Sequence, residues 1–520
     1  MTIFEQYRYL FEMDNLSDLD NDKALVNIGK LIDISYDLKK IDGLKKAVKL
    51  LKVYGKRILS DEQKCLYNYF FANAWSNLSR LLRRRTIKSW RWEQKVIEKE
   101  IILLRNALKF GRITEIPKIR LCQIYTNLGN LMDHVGRFVE AIEYWDLALE
   151  IIPDFPMAIG NKANGLTYYA RSLYDQVQRA IFLKLAYDYM NEVLLHDNIY
   201  EEARVGFYKC KEWIEKVCSP SLLKEEINMN NFSLGDSDEE VKYKKWCLEK
   251  RLFLNPLNDL GNYAIAANDV ISVPGIVVKI GEGPYYHGFF NQMKQEFVSA
   301  RYILYEGLKS RELHFSDKDV ILYNTLDYPV YSLSVEKVKF AFRVAYSLFD
   351  KIAFFLNHYL RLNIKEKKVS FKTLWYDYQQ KKKVLRSDFR KKENLPLRGL
   401  FWLSKDLFEN EPGFRDAIEP EAKDIYEIRN HLEHKYLKVY DDIWLGQSVD
   451  KWESADILAF HIKRKEFESK SIKLVKMVRA ALIYLTLAVH IEEIERANER
   501  GKDVKVLELY LDSWNDEWKV

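Results

Sequence analysis

Hydrophobic residues recur at intervals of three and four along most of the chain, which is the pattern of α-helices that bury one face. Three segments show this spacing most clearly: 289–310, 334–362 and 469–498. Only 11 prolines and 20 glycines interrupt 520 residues, so little material is available for long loops. We therefore predict an all-α protein, with residues 275–280 as the best candidate for a short extended or β connector.

The first part of the chain carries a repeat of two helices, clearest at residues 122–155. Small residues would let the helices approach, a large aromatic would fill the gap, and a proline would end the second helix. These residues are Gly129, Ala141, Trp145, Ala148 and Pro153. The spacing resembles a tetratricopeptide repeat (TPR), and a single repeat cannot bury its own face. We predict a TPR-like α-solenoid over residues 1–218, which either binds a protein or peptide trigger or packs only against the rest of the chain.

Changes in composition divide the remaining chain. Residues 219–240 lose the helical periodicity and gain Ser, Asn and Asp, which indicates a boundary. We expect a connector at 219–288, a helical bundle at 289–500 and a C-terminal tail at 501–520.

Charge permits nucleic-acid binding at local patches without requiring it. The net charge is +6, from 82 basic and 76 acidic residues. Two basic stretches supply the candidates for nucleic-acid contact: Arg83, Arg84, Arg85, Lys381, Lys382, Lys383 and Arg390. Trp90 and Trp92 follow the first stretch and could stack bases. The alternative is a solvated loop whose tryptophans cover a neighbouring helix.

Cysteine usage and hydropathy indicate a cytoplasmic protein. The five cysteines have no CxxC pair and no metal-ligand spacing, so we expect free thiols in a reducing compartment. The first residues carry acids where a signal peptide would be basic. The longest apolar run, 480–489, is half of what spans a bilayer, and we expect no membrane association.

The most informative stretch is 429–434, Arg-Asn-His-Leu-Glu-His, in a helix predicted over 421–440. On a helical wheel Ile428 and Leu432 share one side, whereas Asn430 and His434 lie on the opposite side. Arg429 flanks that polar face with a permanently charged guanidinium. An imidazole, an amide and a guanidinium can together move protons and hold a phosphate. Arginine and histidine are also common on solvent-exposed helix faces, which is the simpler interpretation.

Three further residues are candidates for a supporting role beside these side chains. Glu427 shares the polar face and His431 lies within the motif, although both could merely solvate the helix. Asp350 lies in the very apolar segment 334–362, where an acid is seldom buried without a partner. It is either a boundary residue or part of a polar site.

Five blocks, taken in order, resemble the HEPN superfamily, in particular a bacterial subfamily with TPR-like helices before the HEPN domain. The blocks are RLFLNPLND (251–259), FFNQMKQEFVSARYILYEG (289–307), AFRVAYSLFDKIAFFLNHYL (341–360), LRGLFWLSKDL (397–407) and EIRNHLEHKYLKV (427–439). The resemblance covers roughly residues 240–500. Ribonucleases of this superfamily carry Arg-x4–6-His, matched here by Arg429 and His434.

The resemblance implies metal-independent RNA cleavage in a composite site where two HEPN domains meet. Arg429 would hold the scissile phosphate, His434 would act as general base or acid, and Asn430 would orient either group. No metal or other cofactor is expected, because the 2′-hydroxyl of RNA is the nucleophile. Products would end in a 2′,3′-cyclic phosphate and a 5′-hydroxyl. Arg429 and His434 lie about 140° apart on the helix. They can converge if the arginine side chain curls around the helix or if two motif helices face each other across a dimer axis. The second arrangement needs less distortion, so we predict a symmetric homodimer.

The functional expectation is an endoribonuclease restrained or triggered by its solenoid, used in antiphage defence or toxin-like growth arrest. Two alternatives stay open. One is a non-catalytic HEPN scaffold that dimerises and binds RNA, and the other is a TPR adaptor with a helical dimerisation domain.

Overall fold

The apolar spacing of the sequence folds into long α-helices throughout the chain. The computed structural model describes residues 2–13, 19–82, 91–379, 382–408, 420–441, 456, 458–501 and 506–519. Within these residues there are eighteen α-helices and two small two-stranded sheets. The all-α prediction is confirmed.

The N-terminal part consists of helical hairpins. Its helices are α1 (Ile3–Glu12), α2 (Asn21–Asp37), α3 (Ile41–Tyr54), α4 (Asp61–Leu82), α5 (Lys95–Gly111), α6 (Lys118–His134), α7 (Phe138–Ile151), α8 (Pro156–Ser172), α9 (Gln176–Leu194) and α10 (Glu201–Val217). Successive helices pack in pairs from α2–α3 to α8–α9, and each pair contacts the next. This arrangement is consistent with helical repeats.

Close packing around Trp145 explains the small residues of the clearest repeat. A Cβ atom added to Gly129 on α6 would lie 2.5 Å from the Trp145 ring, and one added to Gly165 on α8 would lie 2.3 Å from it. The indole is therefore held between two helices at positions where only glycine leaves room. The indole N–H also donates to Asn130 Oδ1 at 3.1 Å.

Residues 219–288 contain more ordered structure than the composition of a connector indicates. They include α11 (Pro220–Lys224), α12 (Asp238–Glu249) and a buried 3-10 helix, Pro256–Asp259. The Asp259 carboxylate accepts hydrogen bonds from Arg479 at 2.6 Å and from the Tyr169 hydroxyl at 3.0 Å. The strand considered at 275–280 does not form, since these residues have no regular secondary structure.

A second group of helices forms the C-terminal bundle. It contains α13 (Tyr285–Lys309), α14 (Leu333–Tyr359), α15 (Ser387–Arg390), α16 (Leu395–Phe408), α17 (Pro420–His434) and α18 (Arg464–Arg500). The strands are β1 (Tyr376–Gln379), antiparallel to β2 (Lys382–Leu385), and β3 (Tyr436–Tyr440), parallel to β4 (Ala459–Lys463). The sequence analysis missed both strand pairs.

The helix predicted over 421–440 is too long at its C-terminal end. Helix α17 ends at His434, and β3 begins two residues later. Residues 436–440, Tyr-Leu-Lys-Val-Tyr, are rich in residues with high β-propensity and pair with β4. The partner strand lies about twenty residues further along the chain, where local periodicity cannot detect it.

Helix α18 is the central element of the bundle. It packs against α13, α14, α16 and α17 and also contacts α8 of the solenoid. Its length and composition would allow it to cross a membrane, but 83% of its most apolar stretch is buried inside the protein. A helix that is apolar on all sides is expected at the centre of a large core.

The solenoid and the bundle are joined by a buried charged interface, which we call the seam. Asp406 on α16 accepts two hydrogen bonds from Arg105, at 3.1 and 3.2 Å, and one from Arg137. Lys405 on α16 pairs with Glu98. All five side chains are buried. Charged groups are tolerated at such depth because each is paired across the interface.

Backbones also approach closely at the seam. Gly136, in the turn between α6 and α7, has a φ of +89°, and a Cβ there would lie 2.2 Å from Leu395 O. A Cβ on Gly399 of α16 would lie 2.3 Å from Gly136 O. Trp92 is 1% exposed and donates to Lys392 O at 3.1 Å. Its indole therefore has a packing role, as in the alternative interpretation of the basic and aromatic stretch.

Candidate active site

Helix α17 separates an apolar face from a polar face, as the helical wheel predicts. Ile425, Ile428 and Leu432 are buried against the neighbouring helices. Asn430 on the other side is half-buried and His434 is exposed. Burial of the apolar face fixes the helix, so the direction of the polar side chains is set by the core.

Arg429 is held in place by an amide and an aromatic ring. Its Nη1 donates to Asn430 Oδ1 at 3.2 Å, and its guanidinium carbon lies 5.5 Å from the centre of the Tyr346 ring on α14. Within the described residues it makes no ion pair with an acid. An arginine supported by an aromatic ring and an amide keeps its full charge available for an anion.

Tyr346 forms an apolar support for this guanidinium. The residue is 5% exposed, and burial raises the pKa of its hydroxyl well above the ordinary value, against the opposing charge of Arg429. The hydroxyl therefore stays protonated at neutral pH, and the ring contributes its electron-rich face rather than a negative charge.

Arg343 anchors the C-terminal end of α17. From α14, its Nη2 donates to Leu432 O at 2.5 Å, and its Nε lies 3.9 Å from a Glu433 carboxylate oxygen. The last carbonyl groups of a helix have no partner within the helix, so a guanidinium satisfies one of them and fixes the last turn. That turn carries His434.

His434 is the last residue of α17 and its imidazole is accessible. It makes no hydrogen bond and no ion pair with any other residue that the structure describes. Five helical positions separate it from Arg429, which corresponds to about 140° around the axis and about 7.5 Å along it. The two side chains therefore leave the helix in different directions, and the guanidinium of Arg429 lies beside the Tyr346 ring.

His431 has a different environment from His434. Its Nδ1 donates to the backbone oxygen of Glu427 at 2.8 Å, and its ring lies 5.2 Å from the Phe460 ring of β4. Because a carbonyl oxygen only accepts, the proton is assigned to Nδ1. The ring contact ties α17 to β4. The Glu427 side chain is half-buried on the polar face near Asn430 and His434.

Asp350 lies one turn beyond Tyr346 on α14 but holds a different segment. Its Oδ1 accepts a hydrogen bond from the backbone N–H of Phe371 at 2.9 Å. Its negative charge lies close enough to favour the protonated form of Tyr346. The Asp350 side chain is exposed, and its described hydrogen bond holds Phe371 rather than a residue of α17.

Two of the basic candidates, Lys383 and Arg390, are described in contact with residues of β1 and β2. Lys383 on β2 lies over the Tyr376 ring at 4.1 Å, and Arg390 on α15 donates to Leu385 O at 3.0 Å. Arg83, Arg84, Arg85 and Lys381 lie outside the described residues, as does the side chain of Lys382.

Sequence reasoning missed the roles of Arg343 and Tyr346. An arginine in the apolar segment 334–362 was a signal that something polar must face it. Nothing in the local sequence linked it to a helix about ninety residues later. Tyr346 carries no such signal, because an aromatic residue in an apolar helix is usually a core residue.

Comparison with known proteins bears on the bundle. Residues 277–492 match the family model described as LA2681-like HEPN. The match includes α13, α14, α16, α17 and most of α18, and therefore the whole motif; it begins after the block at 251–259. No curated protein matches the chain.

Proposed function

We propose that this chain, whose residues 277–492 form an LA2681-like HEPN domain, is an endoribonuclease that needs no metal ion. HEPN domains are often ribonucleases. The observation that carries the proposal is the state of the motif. Arg429 is supported by an amide and an aromatic ring and has no acidic partner among the residues that the structure describes, and His434 is accessible at the end of an anchored helix.

The proposed reaction uses the RNA itself as the nucleophile. His434 takes the proton of the 2′-hydroxyl, whose oxygen attacks the adjacent phosphorus while the bond from phosphorus to the 5′-oxygen breaks. An acid, a second imidazole or water, returns a proton to that leaving oxygen. The products are a 2′,3′-cyclic phosphate and a 5′-hydroxyl.

Arg429 would stabilise the negative charge that gathers on the phosphate oxygens during the attack. Its planar guanidinium can donate two parallel hydrogen bonds, which fits a phosphate better than a single ammonium would. Asn430, bonded to Arg429 at 3.2 Å, would keep the guanidinium oriented before RNA binds.

A site made by two chains accounts best for the separation of Arg429 and His434. Within one helix the two side chains diverge by about 140°. If two α17 helices face each other across a two-fold axis, the arginine of one chain can meet the histidine of the other. The proposed enzyme is therefore a homodimer.

We also propose that the solenoid controls this activity. Uncontrolled cleavage of cellular RNA would be harmful, and the solenoid is joined to the bundle through the buried seam on α16. Helix α16 contacts α17 directly, so a displacement of the solenoid could reach the motif. A role in antiphage defence or toxin-like growth arrest would suit such an enzyme.

The test is cleavage of total RNA and tRNA on denaturing gels, with and without EDTA. Wild type is compared with Arg429→Ala, His434→Ala and the control His196→Ala, whose imidazole lies in the solenoid beyond α9. We expect EDTA-resistant cleavage by wild type and the control only. Fragments should accept label from a polynucleotide kinase without prior phosphatase treatment, as 5′-hydroxyl ends do.

Two outcomes point to other functions. RNA binding without cleavage, unchanged in His434→Ala, would favour a non-catalytic scaffold. Cleavage that EDTA abolishes would mean that a metal-dependent site elsewhere in the chain is responsible.

A further inference from the structure

The loop that follows α14, residues 361–372, concentrates positive charge, and we call it the basic loop. It carries five basic residues and one acid, Glu366. The basic residues are Arg361, Lys365, Lys367, Lys368 and Lys372. The first four side chains are exposed and the last is half-buried.

Basic residues on either side of the basic loop are paired, unlike those within it. Lys351 on α14 pairs with Glu296 at 2.5 Å, and Arg386 after β2 pairs with Asp377 at 2.5 Å. In the part of the chain that the structure describes, no basic residue of the basic loop makes an ion pair with an acid. Its positive charge is therefore available to an anionic ligand.

Hydrogen bonds fix the backbone that carries these charges. The Asn357 side chain on α14 donates to Ile364 O at 3.0 Å and accepts from Ile364 N at 3.1 Å. Near the other end of the loop, Phe371 N donates to Asp350 at 2.9 Å. Between them, Glu366–Lys368 form a 3-10 helix. Binding an extended ligand therefore requires little ordering of this backbone.

Aromatic rings adjoin the start of the basic loop. His358, exposed in the last turn of α14, lies with its ring 5.8 Å from the ring of Tyr285, which is 43% exposed. The Tyr286 hydroxyl and His358 Nδ1 are hydrogen-bonded at 2.9 Å, and Arg361 lies near enough to that hydroxyl to interact with it electrostatically. Cations beside exposed rings suit a single-stranded nucleic acid, because phosphates meet the cations and bases stack on the rings.

The far end of the basic loop lies beside the motif. The Phe371 ring is 6.5 Å from the Phe408 ring of α16. Phe408 lies 6.3 Å from Tyr346, whose ring supports Arg429. It also lies 6.4 Å from Tyr426 of α17. The basic loop therefore runs from the end of α14 back toward the motif helix.

We propose that the basic loop, with the adjoining rings of Tyr285 and His358, binds single-stranded RNA at a distance from the reacting bond. The inference rests on the proposed function, because it assigns the loop to the same substrate. Tyr346 and Tyr359 are separated by thirteen positions of α14, which is about 20 Å along the helix axis. That distance corresponds to about six phosphates at the charge spacing of a stacked strand.

A lipid surface is a less suitable occupant than RNA. Segments that bind membranes combine cations with exposed apolar side chains, which enter the headgroup region. The apolar side chains of the basic loop are instead buried or half-buried: Leu362, Ile364, Val369 and Phe371.

The test is fluorescence anisotropy of a labelled oligouridylate with 2′-O-methyl groups, which the proposed reaction cannot cut. The loop variant carries Lys365→Gln, Lys367→Gln and Lys368→Gln. The matched control removes the same charge from exposed positions of the solenoid, with Lys30→Gln, Lys49→Gln and Lys52→Gln. Thermal melting checks that both proteins are folded.

We expect the loop variant to bind at least about tenfold more weakly than wild type, and the control to bind as wild type does. The slope of log affinity against log salt should fall by about two in the loop variant, because three phosphate contacts no longer release counterions. Tyr285→Ala should weaken binding about fivefold or more through the lost stacking.

Three results would overturn the inference: no binding by wild type, equal binding by the loop variant and the control, or a loop variant that loses binding only to vesicles of phosphatidylcholine and phosphatidylglycerol. Failure of the nuclease proposal gives a different pattern. RNA binding that depends on the basic loop, without cleavage by wild type, keeps the binding site and removes only the reaction. If wild type cleaves RNA, the loop variant should raise KM and leave kcat unchanged, because the loop contacts substrate away from the reacting atoms.

Discussion

Helices α16 and α17 are neighbours, and both carry charged residues that the sequence presents in similar short blocks. On α16, Asp406 and Lys405 are buried and each pairs with a charged group of the solenoid. On α17, the described contacts of the Arg429 side chain are with an amide and an aromatic ring, and His434 makes no described side-chain bond. Burial and pairing thus distinguish the two groups.

The difference indicates which charges hold the fold and which are free to act. A buried pair is costly to desolvate and contributes specificity, so its loss harms the structure. An exposed or half-buried group that is oriented but left without an opposite charge contributes little to stability and can bind a ligand. We therefore expect substitutions on α16 to affect stability, and we propose that the polar residues of α17 carry the chemistry.

The largest expected effect is the loss of catalysis in His434→Ala. Removing the general base or acid should slow single-turnover cleavage by about 10²–10⁴-fold. The melting temperature should hardly change, because the imidazole is exposed and makes no described contact. Rapid cleavage by His434→Ala alongside an unaffected His196→Ala control would remove this residue from the mechanism.

A substitution in the seam should lower stability, whereas His434→Ala should lower the rate of cleavage. Asp406→Ala leaves two buried guanidinium groups without the carboxylate they share, so the free energy of unfolding should fall by about 3–5 kcal/mol. Urea unfolding followed by circular dichroism measures this, with Asp512→Ala in the exposed tail as the control. Equal midpoints for Asp406→Ala and wild type would contradict a structural role for the seam.

A carboxyl near the end of α6, close to Arg398 of α16, predicts a dependence of stability on pH. Burial raises the pKa of the Asp133 carboxyl to about 7, despite the opposing charge of the Arg398 guanidinium. Since the unfolded pKa is near 4, the protonated form favours the folded state, and this contribution is lost as pH rises from about 4 to 7.

Asp133→Asn keeps the neutral form at every pH. The variant should therefore gain roughly 2 kcal/mol relative to wild type between pH 5 and pH 8. Urea unfolding at pH 5 and pH 8 gives the free energy of unfolding of both proteins. The measured quantity is the change, between the two pH values, in the difference between variant and wild type. Other titrating groups affect both proteins equally and cancel. A constant difference between the two proteins would show that Asp133 does not titrate in this range.

The fold was largely predictable because the spacing of apolar residues within each segment indicates its helix. Segments 289–310, 334–362 and 469–498 became α13, α14 and α18 with small shifts in their ends. The failures concern contacts between distant residues: β3 pairs with a strand beyond residue 456, and the buried 3-10 helix Pro256–Asp259 is held by Arg479. No local pattern encodes such partners.

The candidate site was predictable only in part, for the same reason. The wheel placed Asn430 and His434 opposite Ile428, and burial agrees with that placement. The support of Arg429 by Tyr346 and the anchoring of Leu432 by Arg343 depend on how α14 crosses α17. Crossing geometry follows from packing of whole helices rather than from either sequence alone.

The smallest expected effect concerns the ring beneath Arg429. Tyr346→Leu removes the aromatic face and should slow cleavage about fivefold, since a cation over an aromatic ring is stabilised by about 1 kcal/mol. Tyr346→Phe keeps the ring and serves as the matched control, with a rate close to wild type. Equal losses in both variants would point to the hydroxyl instead of the ring.

The most direct test of the central claim is complementation between inactive variants in the RNA cleavage assay. Arg429→Ala and His434→Ala are purified separately, mixed in equal amounts, allowed to exchange subunits and assayed with EDTA present. A site built from the arginine of one chain and the histidine of the other predicts recovery of about a quarter of wild-type activity, because half the dimers are mixed and each has one intact site. If wild type cleaves RNA and the mixture stays as inactive as its components, a composite site across two chains is wrong.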